Sequence, residues 1–161
     1  MHPFRLIKSI KRAYSSGFKS LRQVEIDELS LGVREFEHIN TGARFYHLEH
    51  STSADAFSIA FRTLPKNSTG LPHILEHTTL CGSEAFPVRD PFFKMLNRSL
   101  AVYMNAWTGS DFTQYPFVTE NRSDYANLRR VYLDAVFRPL LKKEDFLQEG
   151  WRFVIEGSSK E

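Results

Sequence analysis

The chain has 161 residues, of which 42% are hydrophobic and 25% are charged. This size and balance are those of one globular domain with a single core. The formal net charge is +2, but residues 1–22 hold six basic residues and no acid, so the remaining chain is mildly acidic. We therefore expect no nucleic-acid partner. No apolar run is long enough to span a membrane, and the single cysteine, Cys81, excludes an internal disulfide.

Residues 1–22 have the composition of a targeting segment. They are basic, contain serines and lack acids, and several apolar residues can share one helical face. These features are typical of a mitochondrial transit peptide, and the alternative is a disordered basic tail. We expect a disordered transit peptide over 1–22 and a folded, partial domain over 23–161.

The first part of the folded region predicts three antiparallel strands. Residues 33–39 and 43–48 alternate apolar and polar side chains around the turn Thr41-Gly42, which is a hairpin signal. Residues 56–62 predict a third strand, with Phe57, Ile59 and Phe61 on one side.

The second part predicts helices and further strands. Pro72 in a first turn and Gly82 after the last turn favour a helix over 71–80. We further predict a helix over 92–100, strands over 102–107 and 112–118, a helix from a Ser123 cap to about residue 137, a short helix over 145–150 and a strand over 151–155. This order predicts an α+β fold, an antiparallel sheet with helices packed on one face.

The helix over 71–80 contains the pattern His73-x-x-Glu76-His77. Residues four apart lie on one helical face, so both histidines can reach the same ion. Zinc binds imidazole nitrogen, and a catalytic site typically combines three protein ligands with a water. Glu76 can act on that water as general base. The pattern is the inverse of the commoner His-Glu-x-x-His motif, and the alternative is a set of solvent-facing polar side chains.

The likeness extends well beyond these five residues, over about residues 40–155. Segments similar in order and spacing are NTGAR (40–44), FRT (61–63), GLPHILEH (70–77), CGS (81–83), DPFFKMLNRS (90–99), MNA (104–106), YPF (115–117), YLDA (132–135) and QEGWR (148–152). In these segments the chain resembles the pitrilysin-type zinc metallopeptidases, in particular the members that degrade presequences.

The resemblance implies a zinc metalloendopeptidase of the mitochondrial matrix that degrades cleaved presequences and other short unstructured peptides. It implies His73 and His77 as zinc ligands and Glu76 as the base. It also implies that substrate peptides join an edge strand around Asn105, Ala106, Trp107 and Thr108. For Asn105 a plain strand residue is an equal alternative.

The third ligand of this family is a glutamate in a later segment, which we expect to lie outside this chain. Glu149 and Glu156 are weak candidates for that role. The expectation is therefore an N-terminal fragment of a peptidase domain, inactive by itself, whose partners are peptide substrates and the remainder of the peptidase chain. Two alternatives remain open: a non-catalytic pitrilysin-type scaffold and a subunit of the mitochondrial processing peptidase.

Overall fold

The structure is a computed structural model that describes residues 5–6 and 17–151. Its backbone divides into two compact units, Met1–Thr52 and Ser53–Glu161. No helix among the described residues is long and apolar enough to cross a membrane.

The first unit contains a four-stranded antiparallel sheet in the order β1-β2-β3-β4. The strands are β1 (Arg5–Leu6), β2 (Phe18–Ile26), β3 (Leu31–His38) and β4 (Arg44–Glu49). The predicted hairpin is confirmed, because β3 pairs with β4 from Gly32 opposite Glu49 to Glu37 opposite Arg44. At the turn, Gly42 has a φ of 71°, which glycine adopts without steric cost.

Strand β2 overlaps the segment predicted to be a transit peptide. Residues 18–22 pair with β3, so the prediction that they are disordered is wrong. The partner edge of β3 explains the pairing, and Val24 and Ile26 farther along β2 are residues that favour strands. The charge count alone does not reveal this. The predicted boundary at residue 22 thus lies inside a strand, and the targeting role of 1–22 stays a prediction.

The second unit contains a separate antiparallel sheet. Its strands are β5 (Asp55–Arg62), β6 (Ala101–Met104), β7 (Trp107–Thr108) and β8 (Phe112–Thr119). Strand β8 is central, with β5 on one side and both β6 and β7 on the other.

The three antiparallel strands predicted over 33–62 do not form one sheet. Strand β5 does not extend the hairpin of β3 and β4, but pairs along its whole length with β8, from Asp55 opposite Thr119 to Arg62 opposite Phe112. The apolar side chains of β5, Phe57, Ile59 and Phe61, pack against the core of the second unit. Burial of this apolar face therefore favours pairing with β8, a strand that is distant in sequence.

Among its described residues, 53–151, the second unit also contains four helices. They are α1 (Leu71–Thr79), α2 (Pro91–Leu96), α3 (Arg122–Phe137) and α4 (Lys143–Glu149). Helix α2 ends four residues before its predicted end. Asn121, and not Ser123, caps α3, because its Oδ1 accepts a hydrogen bond from the backbone N–H of Asp124 at 3.0 Å. Residues 152–155 of the last predicted strand lie outside the described residues.

The core of the second unit lies between β8 and helix α3. Phe117 and Tyr132 are fully buried, with ring centroids 5.2 Å apart, and Leu128 packs beside them. Alternation along β8 places Thr113, Tyr115, Phe117 and Thr119 on the buried side. The predicted α+β fold class with antiparallel pairing is confirmed.

Candidate metal centre

Helix α1 positions the predicted zinc-binding residues. Gly70 precedes the helix with a φ of 70°, and its carbonyl accepts hydrogen bonds from the N–H groups of His73 and Ile74 at 3.0 Å. Because His73 and His77 are one turn apart, both lie on an exposed face of the helix. Glu76 lies on a different face and is only 5% exposed. The single helix thus presents two accessible imidazoles beside a buried carboxylate.

The two imidazoles converge through corresponding atoms. The Nε2 atoms of His73 and His77 are 3.2 Å apart, and the rings meet edge to face. Two nitrogens bound to one tetrahedral zinc ion at 2.0–2.1 Å would be separated by about 3.3 to 3.4 Å. The observed separation therefore fits a pair of ligands to one zinc ion.

Glu76 is held by strand β7. Its Oε2 accepts a hydrogen bond of 2.7 Å from the hydroxyl of Thr108. That hydroxyl lies 3.2 Å from the hydroxyl of Thr113, which in turn lies 2.8 Å from that of Thr63. A row of three threonine hydroxyls from three strands or strand ends thus leads to the carboxylate. A buried carboxylate requires such donors, because burial without a partner is costly.

The second imidazole has a carboxylate on its other side. Oε2 of Glu149 lies 3.0 Å from Nδ1 of His77. The hydrogen bond from His77 holds the pKa of the Glu149 carboxyl below its usual range, against a smaller opposing effect of burial. An ionised carboxylate only accepts hydrogen bonds, so Nδ1 carries the hydrogen of this contact.

The described residues do not contain a third metal ligand next to the two imidazoles. Within 17–151, no group of three or more His, Cys, Asp and Glu side chains could hold a metal ion. Glu149 contacts the nitrogen of His77 that faces away from His73, and Glu156 lies outside the described residues. The thiol of Cys81 donates to the carbonyl of His77 at 3.4 Å, and burial, with three nearby carboxylates, raises its pKa to about 11.

The four residues predicted to bind substrate divide into two groups. Thr108 bonds to Glu76 and shares β7 with Trp107, while Asn105 and Ala106 form the turn between β6 and β7. In this turn the N–H of Asn105 donates to the carbonyl of Pro116 at 3.1 Å, and the side-chain oxygen of Asn105 accepts from the N–H of Ala106 at 2.9 Å. Among the described residues, no strand pairs with the outer side of β6 and β7.

Comparison with known proteins identifies relatives of the chain. No family model matches the chain. Over 151 residues it is 57% identical to the mitochondrial presequence protease of Eremothecium gossypii, a match that covers 91% of this chain. Over 140 residues it is 56% identical to the mitochondrial presequence protease of Xenopus tropicalis, a match that covers 87% of this chain.

The chain belongs to the presequence protease family. It spans only 15% and 14% of the length of these two relatives. The crystal structure of pitrilysin is similar in fold, with a TM-score of 0.62 and 19% sequence identity over 91% of this chain and 14% of that one. These similarities confirm the family and the fold that the sequence resemblance implies.

Two contacts of the site cannot be predicted from the sequence of this chain. Thr108 and Glu76 are 32 residues apart, and Glu149 and His77 are 72 residues apart. Neither pair follows a local periodicity, because each joins separate elements of the second unit. The resemblance implies a role in substrate binding for Thr108, and the sequence offers Glu149 only as a weak candidate for the third ligand.

Proposed function

We propose that this chain supplies the catalytic helix of a zinc metalloendopeptidase that degrades cleaved presequences and other short unstructured peptides in the mitochondrial matrix. The observation that carries the proposal is the 3.2 Å separation of the Nε2 atoms of His73 and His77, on the same helix as the buried Glu76. The relatives are named mitochondrial presequence proteases, and that supports both the substrate and the predicted localisation.

His73 and His77 would hold the zinc ion through Nε2. When bound, a zinc ion supplies Lewis-acid activation of a water and of the scissile carbonyl. Two neutral imidazoles provide no negative charge, so we assign a further, acidic ligand to sequence that these described residues do not include. The activity then belongs to the longer protein, since this chain spans only 15% of the length of its Eremothecium gossypii relative.

Glu76 would act as the general base. The hydroxyl of Thr108 holds its Oε2, and we assign Oε1 as the atom that accepts a proton from the attacking water. The same proton can then pass to the nitrogen of the leaving amine, so that the carboxylate is restored. Burial of Glu76 keeps bulk water away from the carboxylate, and the hydrogen bond from Thr108 fixes its direction.

The outer edge of β6 and β7 would bind the peptide. An extended peptide can add a strand to such an edge through backbone hydrogen bonds, which accept many different sequences. Thr108 lies in β7 and contacts Glu76 directly, so a peptide on this edge would pass close to the base. This arrangement suits an enzyme that degrades varied unstructured peptides.

The two alternative functions are less well supported. A non-catalytic scaffold has no need for converging imidazoles or for a carboxylate held by a hydroxyl. A processing-peptidase subunit would share the site, but the relatives from Eremothecium gossypii and Xenopus tropicalis are both named presequence proteases.

The test uses the polypeptide extended to the length of its relatives. Glu76→Gln is compared with wild type for cleavage of a short unstructured peptide, and zinc is measured by elemental analysis. We expect turnover to fall by about 10²- to 10⁴-fold with zinc content unchanged, because only the base is removed. Glu120→Gln, at an exposed position, serves as the control. Retained activity in Glu76→Gln would remove Glu76 from the mechanism.

A further inference from the structure

Helix α4 brings a carboxylate against the second imidazole of α1. Glu149 is the last residue of α4, and its Oε2 contacts Nδ1 of His77 at 3.0 Å. The opposite ring nitrogen, Nε2, faces His73. The two ring nitrogens point in diverging directions, so a group on Nδ1 lies away from the position shared by the two Nε2 atoms.

Glu149 is itself held in place. Its Oε1 accepts a hydrogen bond from the side-chain amide of Gln148 at 2.9 Å, and the oxygen of that amide accepts from Arg89 at 3.3 Å. The backbone N–H of Gly150 donates to the carbonyl of Phe146 and closes the last turn of the helix. Each carboxylate oxygen of Glu149 therefore has a partner, and the hydrogen bond from Gln148 fixes the orientation of the carboxylate toward His77.

We propose that Glu149 is a positioning residue, which holds His77 in the tautomer with hydrogen on Nδ1 and leaves Nε2 free to bind the metal. A carboxylate behind a metal-binding histidine orients the ring and increases the basicity of its nitrogen. Glu149 acts through His77 and is not itself a ligand. This inference rests on the proposed zinc site, but it assigns a residue that the catalytic motif does not include.

The tautomer can be measured without any metal. In the metal-free 161-residue chain, ¹⁵N chemical shifts of the His77 ring distinguish hydrogen on Nδ1 from hydrogen on Nε2. We expect the Nδ1–H form in wild type and a shift toward the Nε2–H form, the usual one for a free imidazole, in Glu149→Ala. Glu144→Ala, another acidic residue of the same helix at an exposed position, is the matched control and should leave His77 unchanged.

Metal affinity gives a second measurement. Competition between the chain and a chromophoric chelator for Zn²⁺ should show binding about 10- to 100-fold weaker in Glu149→Ala than in wild type. Glu149→Gln keeps an oxygen acceptor without the charge, and its Zn²⁺ affinity should lie between those of wild type and Glu149→Ala. It also serves as a second test if the alanine variant folds poorly. An unchanged tautomer together with unchanged affinity in Glu149→Ala would overturn the inference. A carboxylate oxygen bound to zinc in wild type and absent from the zinc ion in Glu149→Ala would also overturn it, because Glu149 would then be a ligand.

These outcomes separate this inference from the proposed function. If the extended polypeptide binds no zinc, the proposed function fails, whereas the tautomer measurement in the 161-residue chain still decides the role of Glu149. If zinc binds to both proteins with the same affinity and the tautomer of His77 is also the same in wild type and in Glu149→Ala, the positioning role fails and the zinc site stands.

Discussion

The hydroxyl of Thr108 donates a hydrogen bond to Oε2 of Glu76 at 2.7 Å, so a two-residue strand holds the carboxylate that we propose as the general base. The contact joins the edge proposed to bind peptide to the residue proposed to activate water. It explains how a carboxylate can be buried on one face of a helix whose other face presents two exposed imidazoles.

Thr108→Val should therefore weaken both stability and catalysis. It removes the donor to a buried carboxylate and should lower the free energy of unfolding of the 161-residue chain by about 1 to 3 kcal/mol. In the extended polypeptide it should reduce turnover about tenfold while zinc content stays the same. Thr108→Ser keeps the hydroxyl and is the control. Equal stability and turnover in the valine variant would show that the contact has no role.

Peptide binding at the edge of β6 and β7 should depend on backbone N–H groups of the substrate. Alternate residues of an added strand direct their N–H groups to the sheet. Replacing single N–H groups of a substrate by N-methyl groups should weaken binding by about 3- to 10-fold at every second position, the cost of one lost hydrogen bond. Inhibition constants for a series of singly methylated peptides measure this. An effect without period two would contradict strand addition.

Phe117 should be the most costly core residue to truncate. Its side chain is 0% exposed and its ring lies 5.1 Å from Phe57 and 5.2 Å from Tyr132. Phe117→Ala should lower the free energy of unfolding by about 3 to 5 kcal/mol, measured by denaturant titration. Phe93→Ala, at a position 61% exposed, should cost much less. Similar losses in both variants would mean that the core is not centred on β8.

The first unit should lose stability in acid through Glu37. The hydrogen bond from Lys19, with the charges of Lys19 and Arg44 in addition, holds the pKa of Glu37 below its usual value, against an opposing effect of burial. A lowered pKa in the folded state gives stability that is present above the unfolded pKa, about 4.3. That stability is lost as the pH falls through the lowered value.

Hydrogen exchange at the Phe36 amide in β3, measured in the full chain from about pH 6 downward, reports on this sheet. Glu37→Gln should flatten the loss of protection between about pH 4.3 and the lowered pKa. Glu28→Gln, at an exposed position, should keep the wild-type slope. The same slope in all three proteins would exclude Glu37 as its source.

Local patterns are sufficient to predict much of this fold. Pro72 and Gly82 give the position of α1 to within one residue, and the alternation in β3 and β4 identifies their hairpin. The partner of β5 does not follow from such patterns, because pairing between distant strands depends on which apolar faces are buried together. A local pattern shows that Phe57, Ile59 and Phe61 share a side, but not what covers it.

The candidate metal centre likewise has one part that local patterns predict and another part that depends on long-range packing. His73, Glu76 and His77 are within five residues on one helix, so helical spacing alone predicts that the two imidazoles meet. The supporting groups, Thr108 and Glu149, come from other elements and reach the helix only through tertiary packing. Sequence spacing cannot predict such contacts.

The most direct test of the zinc site is Zn²⁺ binding to the 161-residue chain, compared with His73→Ala and His77→Ala. We predict one ion per chain in wild type and binding at least about 100-fold weaker in either variant, because each removes one of two converging ligands. His47→Ala, an exposed histidine of β4, should bind like wild type. Zinc affinity that is equal in wild type, His73→Ala and His77→Ala would contradict the account.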